Sequence, residues 1–190
     1  VGAASVSDRA GALAVLPARA PAAAPLFASD QPLDVSLTAD FPSLCRPRET
    51  EDCEFSPSRL DYRDESGQRR SIPVRIKIRG GWRSLSQNCS VPLLWVEFAA
   101  GDVAGTPFAG QSLLPLTTHC GKGFSLDPSV REIRRSDYEQ YLLREFLGHR
   151  IYNLITERSL RVRLLRIRYP KPDSKGGGVG HYAFFSEHFD

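Results

Sequence analysis

The sequence predicts an α+β domain in which a mostly antiparallel sheet packs on one long helix. Three observations carry this. Several segments alternate apolar and polar residues with period 2, the pattern of half-buried strands. One later segment repeats apolar residues at three- and four-residue spacing behind a capping box. The order is strands, one helix, then more strands, without the regular strand–helix alternation of a parallel sheet.

The elements follow in chain order. Gly11 to Leu16 is a short apolar stretch, followed by Ala18-Arg19-Ala20 and Pro- and Ala-rich sequence to Pro25. It reads as the remnant of a signal peptide or as a flexible linker, so residues 1–25 are set apart from a domain spanning 26–190. Leu33, Val35 and Leu37 alternate with Asp34, Ser36 and Thr38 as a first strand. After a polar, Pro-rich connection, Leu60 and Tyr62 lead into a turn at Asp64-Glu65-Ser66-Gly67, where glycine supplies a positive φ. The return strand has Ile72, Val74, Ile76 and Ile78 on one face and Arg75, Lys77 and Arg79 on the other. Leu93 to Phe98 is a further strand. Leu113 to Thr118 is another, with Pro115 predicting an edge strand or an irregular one.

Ser136 and Glu139 form the capping box of the long helix. Tyr138, Tyr141, Leu142, Phe146, Ile151, Leu154 and Ile155 make its wide apolar stripe. The helix is expected to run to about Thr156, roughly 30 Å. Leu160 to Tyr169 is a basic strand, and Tyr182 to Ser186 the last one.

Composition bounds the function. The chain has 190 residues, 41% hydrophobic and 25% charged, enough to build a packed core. No apolar run approaches the roughly 20 residues of a membrane-spanning helix. The net charge of +3 is too small to argue for nucleic acid. It is unevenly spread: Arg131 to Tyr169 holds ten Arg and five acidic residues, a net of +5, which leaves −2 for the remainder. That later region is a candidate anion-contacting surface, the alternative being solvated basic faces. Met is absent, so a processed chain or a fragment is expected.

The four cysteines, Cys45, Cys53, Cys89 and Cys120, include no CxxC pair. Disulfides are expected, and with them an exported protein in an oxidising compartment, periplasmic or extracellular. Three pairings are open; in one, Cys45 and Cys53 clip a short loop and Cys89 joins Cys120. Free thiols and a zinc site using His119 are the alternatives.

Four motifs could carry chemistry. Arg79-Gly80-Gly81-Trp82-Arg83-Ser84 follows a strand, where glycine N–H groups and an arginine fork can approach a phosphate. Its glycine spacing matches neither a Walker A loop nor GxGxxG, and on spacing alone a plain hairpin turn is the favoured alternative. Gly121-Lys122-Gly123 is a weaker phosphate candidate. The helix charges Glu139, Arg144, Glu145, His149 and Arg150 read mostly as surface pairing. Glu187-His188-Phe189-Asp190 gathers two carboxylates and an imidazole that could hold a metal or nucleotide. No HExxH, GxSxG or local Ser/His/Asp signature is present.

In order, these pieces resemble the CotH-type spore-coat kinases, a divergent branch of the kinase-like fold. The resemblance rests on Ile78-Arg79-Gly80-Gly81-Trp82, Leu94-Trp95-Val96-Glu97-Phe98, Phe108-Ala109-Gly110-Gln111, the helix from Tyr141 to Ile151, and Gly180-His181-Tyr182 followed by Glu187 to Asp190. It covers roughly Ile72 to Asp190. It implies a nucleotide-covering lobe, ATP with Mg or Mn as cofactors, and phosphorylation of Ser or Thr on secreted or envelope proteins. It carries nucleotide contacts to Arg79, Gly80 and Glu187 and a metal to Asp190. The departures are equally plain. Gly81 stands where the family has Asn. Val91 and Pro92 stand where its paired Lys lie. Its catalytic carboxylates fall largely beyond Asp190, so the segment is expected to be truncated and inactive alone. The competing reading is a non-catalytic, disulfide-stapled envelope module that binds a protein, glycan or other anionic polymer, with no nucleic acid and no membrane span.

Overall fold

Period-2 alternation does build the sheet, but the sheet closes on itself. The computed structural model describes residues 25–46, 53–64, 66–121, 137–172 and 178–188. Seven strands are β1 (Leu33–Thr38), β2 (Ser56–Arg63), β3 (Arg69–Ile78), β4 (Leu94–Phe98), β5 (Leu113–Thr117), β6 (Val162–Arg168) and β7 (His181–Ser186). They form a closed barrel in the order β1-β2-β3-β4-β5-β7-β6. All pairs are antiparallel except β1 with β6, a parallel pair that seals the cylinder, with Leu33 beside Leu165 and Ser36 beside Arg168.

This corrects the expected sheet packed on one long helix and, with it, the likeness to a nucleotide-covering lobe. The core lies inside the barrel, and the helix lies outside it. Alternation reports which face of each strand is apolar and is silent on whether the first and penultimate strands pair. The β1–β6 seam joins residues more than 130 positions apart, and no local signal marks it.

Inward positions of every strand fill the interior, among them Val35, Leu37, Leu60, Ile76, Leu94, Val96, Leu116, Leu165 and Phe185. Side chains fill small barrels in this way, leaving no channel. One end is closed by Phe108, which stands on no strand. Its ring stacks on Phe98 at 5.2 Å and meets Tyr62 and Phe185 edge-on at 5.6 and 6.1 Å. Thr106 shapes that loop, accepting the Phe108 N–H and donating to the Val103 carbonyl. The short helix α1 (Ala100–Val103) leads into it. The other end is closed by Phe41 edge-on to Tyr169 at 5.3 Å and by the rings of His119 and His181 stacked at 3.9 Å.

The disulfides are Cys45–Cys53 and Cys89–Cys120, and no described cysteine is free. They clip the β1–β2 connection and the approach to β4 against the exit of β5. Bonded cysteines are the chemistry of an oxidising, exported environment. Among the described residues no helix is long and apolar enough to cross a membrane.

Pro115 does not sit at an edge, because a closed barrel has none. It faces Trp95 on β4, while β5 pairs with β7 only at Leu116 and Thr117, beyond the proline. The missing amide hydrogen therefore falls outside the β5–β7 ladder.

The helix, α2 (Asp137–Ile155), matches the expected span. Ser136 of the capping box lies outside the described residues, as does the side chain of Tyr138. Glu139 is buried, and its Oε1 accepts the Tyr182 N–H of β7 at 2.7 Å. The helix rests on the outer wall through Leu142, which packs with Val162 and Phe184, and through the partly buried Leu143 and Phe146. The rest of the expected stripe faces outward: Leu154 is 83% and Ile155 74% exposed, and Tyr141 and Ile151 are more than half exposed. A helix against a convex barrel wall buries a narrower strip than one lying on a flat sheet.

Candidate functional site

The outer wall over β6, β1, β2 and β3 gathers arginines and carboxylates side by side. Turn chemistry builds it. Asp64 Oδ1 accepts the Ser66 N–H and O–H at 3.0 and 2.6 Å and the Gln68 N–H at 2.9 Å, and Gly67 takes φ 79°. These bonds, with Arg70, hold the Asp64 carboxyl down at about 2. This turn sets the β2–β3 register, placing Arg63 opposite Arg69. Leu60 and Tyr62 face inward, so Arg59, Asp61 and Arg63 face outward. Pairing then places Ser36 between Arg168 and Asp61, and Asp34 beside Arg166.

Two adjoining depressions lie in this wall. One, of about 270 Å³, is lined by Asp34, Ser36, Asp61, Tyr62, Arg63, Arg69 and Arg168 together with Val35. The other, of about 360 Å³, is lined by Asp34, Arg63, Glu139, Arg166, Arg168, Gly180, His181 and Tyr182. They share Asp34, Arg63 and Arg168 and so form one trough.

Four arginines and three carboxylates line it. Asp34 pairs with Arg166 at 2.7 Å. Asp61, buried beneath its partners, pairs with Arg69 at 3.1 Å and Arg59 at 3.4 Å. Glu139 takes the Tyr182 N–H. Among the described residues, the Arg63 side chain donates only to the Gly67 carbonyl, at 3.0 Å, and the Arg168 side chain makes no hydrogen bond or ion pair. Two guanidinium forks without a carboxylate therefore border both depressions. Arginines directly opposed across a ladder, as Arg63 and Arg69 are, repel unless an anion lies between them. Planar forks suit carboxylate, sulfate or phosphate oxygens.

Behind the second depression lies the closed end of the barrel. Burial, reinforced by His181, drives the His119 imidazole down to about 3, and burial lowers His181 against the opposing pull of Glu139. Burial, with Glu139 nearby, pushes the Tyr169 phenol up. Both imidazoles are neutral in the folded protein at pH 7. Below about pH 6.5 the unfolded chain takes up a proton that the His119 ring cannot, so this ring lowers stability as pH falls by up to about 1.4 kcal/mol per pH unit, and the lowered His181 acts in the same direction. The urea midpoint is expected to drop between pH 7 and 5, and His119→Phe to make that drop shallower. An unchanged slope in the variant contradicts this.

The residues singled out from the sequence lie elsewhere. Arg79 follows β3 with its guanidinium engaged: Nε donates to the Leu94 carbonyl and an Nη to Thr117 Oγ1, both at 3.2 Å, and the group lies over the Trp95 ring. Burial lowers its pKa, with Glu145 opposing the shift. Gly80 has φ 90°, which explains the glycine after the strand. The Trp95 ring meets His188 at 4.9 Å, so the RGG turn and the chain around Glu187 do approach one another. Glu187 is held by Arg161, which gives it a side-chain fork at 2.6 and 2.8 Å and a backbone N–H at 2.7 Å. Asp190 and Lys122 lie outside the described residues. Among the described residues no group of three His, Cys, Asp or Glu side chains is gathered as for a metal ion.

Of the basic region expected from the sequence, Arg166 and Arg168 reach the trough. Arg163 turns inward instead and donates to the carbonyls of Leu26 and Ser29, holding the amino-terminal segment. The sequence reading missed Arg63 and Arg69, because the earlier region is net negative and drew no attention. The turn at residues 64–67 was the available signal: a fixed hairpin register opposes those two arginines. No protein-family model, no curated protein and no solved structure matches the chain.

Proposed function

We propose that this chain is a non-catalytic, disulfide-stapled binding module of an exported protein, periplasmic or extracellular, that takes an anionic ligand in the arginine trough. The observation that carries the reading is the pair Arg63 and Arg168, charged, exposed and without a carboxylate partner among the described residues, at the border shared by both depressions. The filled interior supports it as well, since a packed barrel offers its outer wall to a ligand.

A heparin-type hexasaccharide serves as the probe. The double reversal Arg63→Glu/Arg168→Glu is expected to weaken binding at least tenfold at 50 mM salt, since each lost charge-assisted contact costs about 1.5–3 kcal/mol. Wild-type affinity is expected to fall as salt rises, because exposed charges are screened. A reversal variant that binds like the wild type contradicts the site. The CotH-like reading places a nucleotide at Arg79 and Gly80 instead. Binding of ATP with Mg²⁺ or Mn²⁺ that is lost in Arg79→Ala and kept in the double reversal favours that reading.

A further inference from the structure

We infer that the ligand of the arginine trough is an acidic oligosaccharide, uronate or sulfated, lying across β6, β1, β2 and β3. The inference rests on reading that trough as an anion site and adds the ligand's chemistry and shape.

Asp34 decides the chemistry. It lines both depressions, and its side chain is one-third exposed beside Arg166. A carboxylate in the middle of a site repels a ligand that offers only anionic oxygens. It accepts hydrogen bonds and donates none, so it calls for a ligand with hydroxyl donors between its acidic groups. Sugar rings bearing carboxylates or sulfates offer that alternation; polyphosphate does not. Ser36 in one depression and the half-buried Tyr182 in the other add a hydroxyl and a flat aromatic surface.

Spacing decides the shape. Arg168 on β6 and Arg69 on β3 are separated by three inter-strand steps, about 14 Å at the usual strand spacing. One tetrahedral anion cannot touch both. A chain of several rings can, and the residues shared by the two depressions give it a continuous path.

The test compares the full chain with Asp34→Asn, using fluorescently labelled hexa-uronate, polyphosphate of matching charge and a short oligodeoxynucleotide. Wild type is expected to bind the hexa-uronate at least tenfold more tightly than a mono-uronate, and more tightly than the other two polyanions. Asp34→Asn is expected to weaken hexa-uronate binding about fivefold, because a charge-assisted contact to a sugar hydroxyl becomes a weaker one to a neutral amide oxygen. The same change frees Arg166 and is expected to tighten polyphosphate binding. Asp34→Ser, which also removes the charge, serves if the Asn variant does not fold. Polyphosphate or oligonucleotide binding as tight as that of hexa-uronate overturns the glycan inference and keeps the anion site. So does an Asp34 variant that leaves hexa-uronate binding unchanged or tightens it. Failure of every anion to bind removes both.

Discussion

Phe108→Ala is expected to destabilise the protein by about 3–5 kcal/mol, the range for emptying a buried phenylalanine site. Phe108 is fully buried although it belongs to no strand, and it is the residue on which Tyr62, Phe98 and Phe185 converge. Those rings come from β2, β4 and β7, so the plug ties together strands distant around the cylinder. Truncation leaves a cavity bounded by rings fixed on a closed sheet, where collapse is limited and the cavity cost is high. Single domains have only about 5–15 kcal/mol in total, so the variant is expected to show a large drop in urea midpoint with its slope unchanged. A loss below about 1 kcal/mol contradicts Phe108 as the plug.

Breaking Cys89–Cys120 is expected to cost more than breaking Cys45–Cys53. The bridges close loops with sequence separations of 31 and 8. Loop-closure entropy then gives about 4 and about 2.5 kcal/mol. The longer bridge also anchors a barrel junction: Val91 donates its N–H to the Cys120 carbonyl at 3.1 Å, and Thr118 Oγ1 donates to the Val91 carbonyl at 2.7 Å. Thermal unfolding of the Cys89→Ser/Cys120→Ser and Cys45→Ser/Cys53→Ser pairs measures both losses. Equal losses, or the reverse order, contradict this account.

The strands were legible because each is two-faced. Ile72, Val74, Ile76 and Ile78 face inward against Arg75 and Lys77 outside, and that contrast survives in any architecture with one wet face. Barrel closure was not legible. It depends on the pairing of β1 with β6, whose residues carry the same alternation whether they pair or lie at opposite edges. Pro115 misled for the same reason, since it marks a gap in one ladder and not the end of a sheet. The helix was legible in its length and less so in its burial, because curvature of the supporting wall is a tertiary property.

The site followed the same division. Summed charge pointed to the region around Arg166 and Arg168. It could not point to Arg63 and Arg69, which become their neighbours only once the cylinder closes. Arg79 and Glu187 drew notice as charged residues near glycine turns and a strand end. The structure gives both of them intramolecular partners, Thr117 and Arg161.

The most direct test of the anion-binding trough is to follow the arginine side-chain Nε–Hε signals by NMR while titrating the heparin-type hexasaccharide. Arg63 and Arg168 are expected to shift first and furthest, with Arg69 and Arg166 following and Arg79 and Arg163 unmoved. Shifts confined to Arg79, or spread evenly over all the arginines, contradict a binding site on the β6–β1–β2–β3 wall.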